Sequence, residues 1–189
     1  MTGDGPETAG GAGRRRAELV ADIAAIAIPH SGPLRDRSEF RESAALNRPS
    51  ILRRVAADLA PRVPREAERL VAAGWGAAVL ATALSLHTGL PLSVAADPEP
   101  GAAPPVLADG DLDAGRPVAL VVASTTGDAE VAARVARLEE QRAHVVAVLS
   151  LLAPERPGAS GGANVPAPAP RAALLTEEEL AVSTAGGRA

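Results

Sequence analysis

The sequence predicts an α/β protein whose central parallel sheet is covered by helices on both faces. Two observations predict this class. From residue 70 onward, short apolar runs alternate with helical segments, which is typical of crossover units. In addition, the runs at residues 117–123 and 145–152 are apolar almost throughout, as in strands buried on both faces. The length of 189 residues, 47% of them hydrophobic, suits one domain with one core.

The N-terminal part is predicted to be helical and irregular. Residues 1–16 contain no apolar run and are interpreted as a disordered tail, so the folded domain is predicted to span residues 17–189. Apolar residues at helical spacing predict a helix over residues 17–28, which ends before Pro29. The polar stretch at residues 31–48 has no clear period and is predicted to be loop or irregular strand.

A second helix is predicted to begin at Pro49, because proline suits the first turn of a helix. Leu52, Val55 and Leu59 then fall on one face of this helix, and Pro61 lies beyond its end. Arg53, Arg54 and Asp58 are expected to face water.

The remaining predicted elements alternate between strands and helices. In order they are a strand at residues 70–73, a helix at about 77–87, a strand at 90–96, an acidic loop at 97–115, a strand at 117–123, a turn at 124–128, a helix at 129–142 and a strand at 145–152. Residues 153–170 are rich in Pro, Gly and Ala and are interpreted as a flexible loop. A capping box at Thr176 and Glu179 predicts a final helix.

Composition excludes several classes of function. The chain has no cysteine and all 19 basic residues are arginine, so thiolate chemistry and lysine Schiff bases are excluded. The net charge of −4 argues against a nucleic-acid partner, and the spacing of the three histidines suggests no metal site. Residues 70–96 lack charged side chains but contain glycines and a proline, which argues against a membrane span. A cytoplasmic location is expected, since no secretory signal is recognisable.

The most informative motif lies at residues 118–128, where an apolar strand runs into Thr125, Thr126 and Gly127 just before a predicted helix. Hydroxyl and backbone N–H groups at a helix N-terminus can bind an anion such as phosphate. The alternative is an ordinary turn in which Thr126 or Asp128 caps the helix.

A second candidate is the glycine turn of Gly74, Trp75 and Gly76, which joins a predicted strand to a predicted helix. Asp97 follows about 20 residues later, as in dinucleotide-binding folds, but Val79 stands where the fingerprint has its third glycine. A nucleotide-binding protein of an unrelated α/β family is therefore one alternative. Trp75 is expected to fill volume rather than to stack on a base.

The order of these features resembles the orotate phosphoribosyltransferase family of type I phosphoribosyltransferases across residues 17–182. The similar segments are residues 30–32, the helix entry at 48–56, the segment 76–91, the loop of Thr125, Thr126 and Gly127, and residues 174–180. The resemblance implies a central parallel sheet flanked by helices, with a small N-terminal helical and irregular hood, and it implies a two-fold dimer.

The resemblance also implies an activity and its binding residues. Members of this family transfer a phosphoribosyl group from phosphoribosyl pyrophosphate to orotate, with Mg²⁺, and form orotidine 5′-phosphate. By resemblance, Thr125, Thr126 and Gly127 would bind the 5′-phosphate. Gly74, Trp75 and Gly76 would form the pyrophosphate loop.

The chain departs from the family at three places. The family has two adjacent acids before the loop, whereas this strand ends with Val122, Ala123 and Ser124 and has neither acid. The family's loop continues with glycine and a serine or threonine, whereas this one continues with Asp128 and Ala129. Between Arg69 and Arg116 there is neither lysine nor arginine, although the family places cationic groups there for the leaving pyrophosphate. No catalytic residue and no metal ligand is therefore predicted.

The expected function is that of a degenerate, catalytically impaired member of this family. It would bind a phosphorylated sugar or nucleotide and act as a regulatory or hetero-oligomeric subunit, either as a homodimer or as a heterodimer with a related active protein. The first alternative is a divergent but active enzyme that requires Mg²⁺ and uses Arg35, Arg37 or Arg41 in place of the missing cations. A purely structural protein is a further alternative.

Overall fold

The described part of the chain forms one six-stranded sheet with helices packed against it. The structure is a computed structural model, and it describes residues 7–29, 37–95, 107–109, 115–153 and 169–186. The elements in these ranges are α1 (Glu7–Ala27), α2 (Glu42–Leu46), α3 (Pro49–Leu59), β1 (Arg69–Ala73), α4 (Trp75–Thr88), β2 (Leu92–Ala95), β3 (Leu107–Asp109), β4 (Pro117–Val121), α5 (Asp128–Glu140), β5 (His144–Leu152), β6 (Arg171–Leu175) and α6 (Glu177–Gly186). Short 3-10 turns lie at Arg37–Glu39 and Ala60–Arg62.

The sheet has the strand order β3-β2-β1-β4-β5-β6. Five strands, β2, β1, β4, β5 and β6, are parallel to one another. Strand β3 lies at one edge of the sheet and pairs antiparallel with β2. This architecture confirms the predicted fold class. Because the neighbouring strands β1 and β4 are parallel, the loops that follow them leave the sheet at the same edge.

The two faces of the sheet contribute to two separate apolar clusters. Leu70 and Ala72 of β1 face a cluster that includes α1, α3 and α4, whereas Val71 faces a cluster that includes α5. Side chains alternate between the faces of a strand, so apolar residues at every position are buried when both faces are covered. The continuous apolar runs of the sequence follow from this arrangement.

Helix α1 begins at Glu7, whereas the sequence predicted a helix from residue 17 and a disordered tail before it. Arg16 explains part of the difference. Its guanidinium donates hydrogen bonds to the carbonyl oxygen of Leu174 over 2.7 Å and to Oε1 of Glu179 over 2.6 Å. These contacts attach the first half of α1 to the C-terminal part of the chain, and a local sequence pattern does not show them.

Three short elements were missed in the sequence. Helix α2 lies within the stretch predicted to be irregular, and its Ala45 and Leu46 are buried. Strand β3 lies within the loop predicted at residues 97–115 and has three residues. Each of these elements is too short to show a periodic pattern.

Strand β6 is the third element that the sequence analysis missed. The resemblance to the family placed its last two residues, Leu174 and Leu175, in the segment similar to a closing helix. Leu174 and Leu175 instead belong to the strand and are buried, while the helix begins at Glu177. The predicted capping box is confirmed, because the N–H of Glu179 donates to Oγ1 of Thr176 and the N–H of Thr176 donates to Oε2 of Glu179. Most of the predicted flexible loop, residues 154–168, lies outside the described residues.

Within the described ranges, no helix combines the length and the apolar character that crossing a bilayer requires.

Candidate functional site

The two glycine-containing loops predicted from the sequence lie side by side at the carboxyl edge of the sheet. One turn follows β1 at Gly74 and leads into Trp75 and Gly76, the first two residues of α4, and the other loop follows β4 and ends at Gly127. A Cβ atom built on Gly76 would lie 3.7 Å from the Cβ of Ala123 in the second loop. The fold therefore brings together residues that are about 50 positions apart in sequence, as parallel neighbouring strands require.

The backbone at Gly74 requires glycine. Its φ of 79° and ψ of 176° belong to a region that side-chain-bearing residues almost never adopt. The N–H of Gly74 donates to the carbonyl oxygen of Ala95 over 2.9 Å, which joins the ends of β1 and β2. This conformation turns the chain sharply from β1 into α4.

Trp75 is the first residue of α4 and is 69% exposed. The expectation that this side chain fills volume inside the protein is therefore wrong. The residue follows a sharp turn at the edge of the sheet, where its side chain lies outside both apolar clusters.

The loop after β4 leads into α5 without a side-chain cap. Gly127 is the N-cap residue of α5, and among the residues that the structure describes no side chain caps this end with a hydrogen bond. The alternative in which Thr126 or Asp128 caps the helix is thus not adopted. The N–H groups at the start of a helix carry partial positive charge, so this end favours an anion.

Asp128, in the first turn of α5, is paired with an arginine from a distant strand. Nη1 of Arg171, on β6, donates to Oδ1 of Asp128 over 2.5 Å. Glu130 in the same turn accepts from Arg134 over 2.7 Å. The negative charge that the acids place at the start of α5 is therefore offset by guanidinium groups.

A buried carboxylate also contacts the backbone of the loop after β4. The N–H of Ser124 donates to Oε2 of Glu42 over 2.7 Å, and Oγ of Ser124 accepts from the N–H of Leu152 over 3.0 Å. Glu42 is 8% exposed and Ser124 is almost completely buried. The sequence analysis missed Glu42, because α2 shows no periodic pattern and its partner is 82 positions away.

The residues that follow β4 do not fit a protein-bound Mg²⁺. Val122 and Ala123 carry no oxygen in their side chains, and Mg²⁺ is held by carboxylates and phosphates. In the part of the chain that the structure describes, no three acidic or histidine side chains converge where they could hold a metal ion.

Of the three arginines considered as replacements for the family's cations, only Arg41 has a side chain that the structure describes. Arg35 and the side chain of Arg37 lie outside the described residues, as does Asp97. Arg41 lies immediately before α2, and its side chain is exposed. Arg171 is instead the arginine that the fold brings to the start of α5, and the sequence analysis missed it.

Solved structures of phosphoribosyltransferases share this fold. UMP synthase from Leishmania donovani superposes with a TM-score of 0.69 at 18% identity. The superposition covers 90% of this chain but only 38% of the UMP synthase chain. Orotate phosphoribosyltransferase from Mycobacterium tuberculosis, in complex with phosphoribosyl pyrophosphate, superposes with a TM-score of 0.63 at 18% identity, over 87% of this chain and 98% of that chain. The enzyme from Aeropyrum pernix gives a TM-score of 0.62 at 15% identity, over 92% and 99% of the two chains.

No protein-family model matches the chain, and no curated protein matches it by sequence. The sheet order and the parallel pairing of its inner strands define an open α/β protein with a mostly parallel sheet. More specifically, the chain has the type I phosphoribosyltransferase fold, and the resemblance to orotate phosphoribosyltransferases is confirmed at the level of the fold.

Proposed function

We propose that this protein binds a phosphorylated sugar or nucleotide at the carboxyl edge of its sheet and does not transfer the phosphoribosyl group. It would act as a binding or regulatory subunit, alone or together with a related active protein. One observation carries the proposal: α5 begins at Gly127 without a side-chain cap, while Val122 and Ala123 ahead of it provide no carboxylate.

Binding of a phosphate is supported by the start of α5. A Cβ atom built on Gly127 would meet no atom within 4 Å, so the space beside this residue is open. Thr125, two positions earlier in the same loop, is exposed. Helix N-termini of this kind bind phosphate through their N–H groups and dipole.

The absence of transfer is supported by the charges around the other loop. Expulsion of pyrophosphate requires positive groups where negative charge develops, and loss of one such donor typically lowers the rate about 10²- to 10³-fold. Arg69 is at the opposite end of β1 from Gly74, and it donates to Oγ of Ser93 over 2.9 Å. From there to Arg116 the sequence contains no lysine or arginine.

The alternative is a divergent, active orotate phosphoribosyltransferase. Arg171 favours it, because the fold brings this guanidinium from a distant strand to the start of α5. It would require bound Mg²⁺, for which Val122 and Ala123 offer no ligand.

An activity assay separates the two functions. The full chain is incubated with orotate, phosphoribosyl pyrophosphate and Mg²⁺, and orotate is followed by its absorbance. We expect no consumption above that of a protein-free control. Magnesium-dependent turnover that disappears in Gly127→Glu would overturn the proposed loss of catalysis.

A binding assay tests the ligand class. Calorimetric titration is expected to detect ribose 5-phosphate but not ribose, and Gly127→Glu is expected to abolish the signal by placing a carboxylate at the start of α5. Gly11→Glu is the matched control, because Gly11 is an exposed position of α1 with equally open space around it. Equal binding by the two variants, or no binding of any phosphorylated sugar or nucleotide, would contradict the proposal.

A further inference from the structure

Ser124 is the buried point of a loop whose next residues are largely exposed. Thr125 and Gly127 of the loop after β4 are exposed, whereas Ser124 is 1% exposed. The N–H of Ser124 donates to Oε2 of Glu42 over 2.7 Å, and its Oγ accepts from the N–H of Leu152 over 3.0 Å. The conformation of the exposed residues therefore depends on how Ser124 is held.

The other side of this contact, Glu42, is itself fixed by the fold. Glu42 lies in the first turn of α2, and Ala45 and Leu46 of this helix are buried. The N–H of Arg41, just before α2, donates to the carbonyl oxygen of Ala27 at the end of α1 over 2.8 Å. Burial and backbone hydrogen bonding leave α2 little freedom to move. The carboxylate of Glu42 therefore determines where Ser124 lies.

We propose that Glu42 is a positioning residue for the anion site at the start of α5. It would act through the N–H of Ser124 and would not touch the ligand. A loop that is already held in its binding conformation binds more tightly, because no affinity is lost in ordering it. If the loop adopts that conformation only part of the time, the apparent affinity falls by the same fraction. The inference rests on the proposed binding of a phosphorylated ligand and adds that α2 regulates its affinity.

The acceptor oxygen and the negative charge of Glu42 have opposite effects on such a ligand. The acceptor holds the loop, whereas the charge of a buried carboxylate disfavours a second anion nearby. Glutamine keeps an acceptor oxygen without the charge, and alanine has neither. Comparison of Glu42→Gln with Glu42→Ala therefore measures the positioning effect alone.

Calorimetric titration of the full chain with ribose 5-phosphate measures this effect, at a temperature where circular dichroism shows every variant to be folded. Glu42→Gln is expected to bind at least as tightly as the wild type. Glu42→Ala is expected to bind about tenfold more weakly than Glu42→Gln, because the buried N–H of Ser124 then lacks an acceptor. Equal affinities of the two variants would overturn the inference.

Ser93→Ala is the matched control for the loss of a buried hydrogen bond. Oγ of Ser93, which is 1% exposed on β2, accepts from Arg69 over 2.9 Å. Its removal is expected to lower stability without changing the affinity for ribose 5-phosphate, because β1 separates β2 from β4 in the sheet. A tenfold loss of affinity in Ser93→Ala would show that affinity follows general stability, and the role assigned to Glu42 would be wrong.

Hydrogen exchange gives a second readout, since coupling between two sites is reciprocal. Saturating ribose 5-phosphate is expected to slow amide exchange in α2 of the wild type and of Glu42→Gln, but not of Glu42→Ala. The same exchange in all three proteins would overturn the inference.

Failure of this inference is distinguishable from failure of the proposed function. If the wild type binds ribose 5-phosphate, Gly127→Glu does not, and the two Glu42 variants bind equally, only the positioning role is lost. If the wild type binds no phosphorylated sugar or nucleotide, the proposed function and the positioning role are both wrong.

Discussion

The carboxylate of Glu42 accepts a hydrogen bond of 2.7 Å from the backbone N–H of Ser124, which lies 82 positions later in the chain. Both residues are buried. A hydrogen bond to a charged acceptor is stronger than one between neutral groups, and it gains further strength away from water. The short helix α2 is thereby attached to the loop that leads into α5.

Replacing Glu42 by alanine is expected to lower the free energy of unfolding by about 1–3 kcal/mol, because the buried N–H of Ser124 loses an acceptor. Glu42→Gln is expected to cost less, since its amide oxygen can still accept this hydrogen bond. Urea unfolding followed by circular dichroism measures both values.

Glu66→Ala is the control for this substitution, because Glu66 is exposed. It is expected to change the free energy of unfolding by no more than about 0.5 kcal/mol, as is usual for surface positions. A loss in Glu42→Ala no larger than that of the control would mean that the hydrogen bond to Ser124 contributes little to stability.

The two glycines beside Trp75 are expected to respond in opposite ways to alanine. Gly74→Ala forces a side chain into the conformation with φ of 79° and should cost about 1–3 kcal/mol of stability. Gly76→Ala should be neutral or stabilise by up to about 1 kcal/mol, because Gly76 is helical and its new Cβ would make an ordinary contact at 3.7 Å. Thermal unfolding of the two variants tests this contrast, and it fails if Gly76→Ala is the more destabilising.

The sequence predicted the sheet and the two edge loops because their signals are local. Buried strands leave continuous apolar runs, and Gly74 and Gly127 each stand directly before a helix. Parallel pairing of β1 and β4 then places both loops at one edge, so this much of the site follows from pattern and topology.

The polar partners of the loops could not be predicted in this way. Glu42 and Arg171 contact residues 82 and 43 positions away, so their roles depend on how the whole chain folds. The early start of α1 has the same origin, since Arg16 contacts Glu179 across 163 positions. Short elements such as α2 and β6 gain their stability from burial against the rest of the protein, and their own sequences contain few residues to reveal them.

The pair of Arg16 and Glu179 is expected to make stability depend on pH. Burial raises the pKa of Glu179, but hydrogen bonds from Arg16 and Thr176 and the charge of Arg16 outweigh it and hold the pKa below the ordinary value of 4.5. A carboxyl group with a lowered pKa in the folded state stabilises the fold above its unfolded pKa. This contribution is lost as the pH falls through the lower, folded value.

Glu179→Gln isolates this contribution, because glutamine can keep the capping box with Thr176. At neutral pH the variant is expected to be less stable than the wild type by at most about 1 kcal/mol, since the ion pair is partly exposed. The difference should shrink as the pH is lowered below 4.5. Glu139→Gln, at an exposed position of α5, serves as the control in the same urea titrations, and a difference that grows on acidification would contradict the assignment.

Asp128 and Arg171 are expected to have opposite effects on the affinity for ribose 5-phosphate. Their ion pair lies at the start of α5, where the proposed phosphate binds. Asp128→Asn removes a negative charge and should tighten binding about fivefold, whereas Arg171→Gln removes a positive charge and should weaken binding about fivefold. A fivefold change in affinity corresponds to about 1 kcal/mol, which is the interaction energy of two unit charges about 4 Å apart in water. Calorimetric titration at low and high salt tests this, because both effects should diminish as salt screens the charges. Shifts of the same sign in the two variants would show that the ion pair acts through the structure of the loop rather than through its charge.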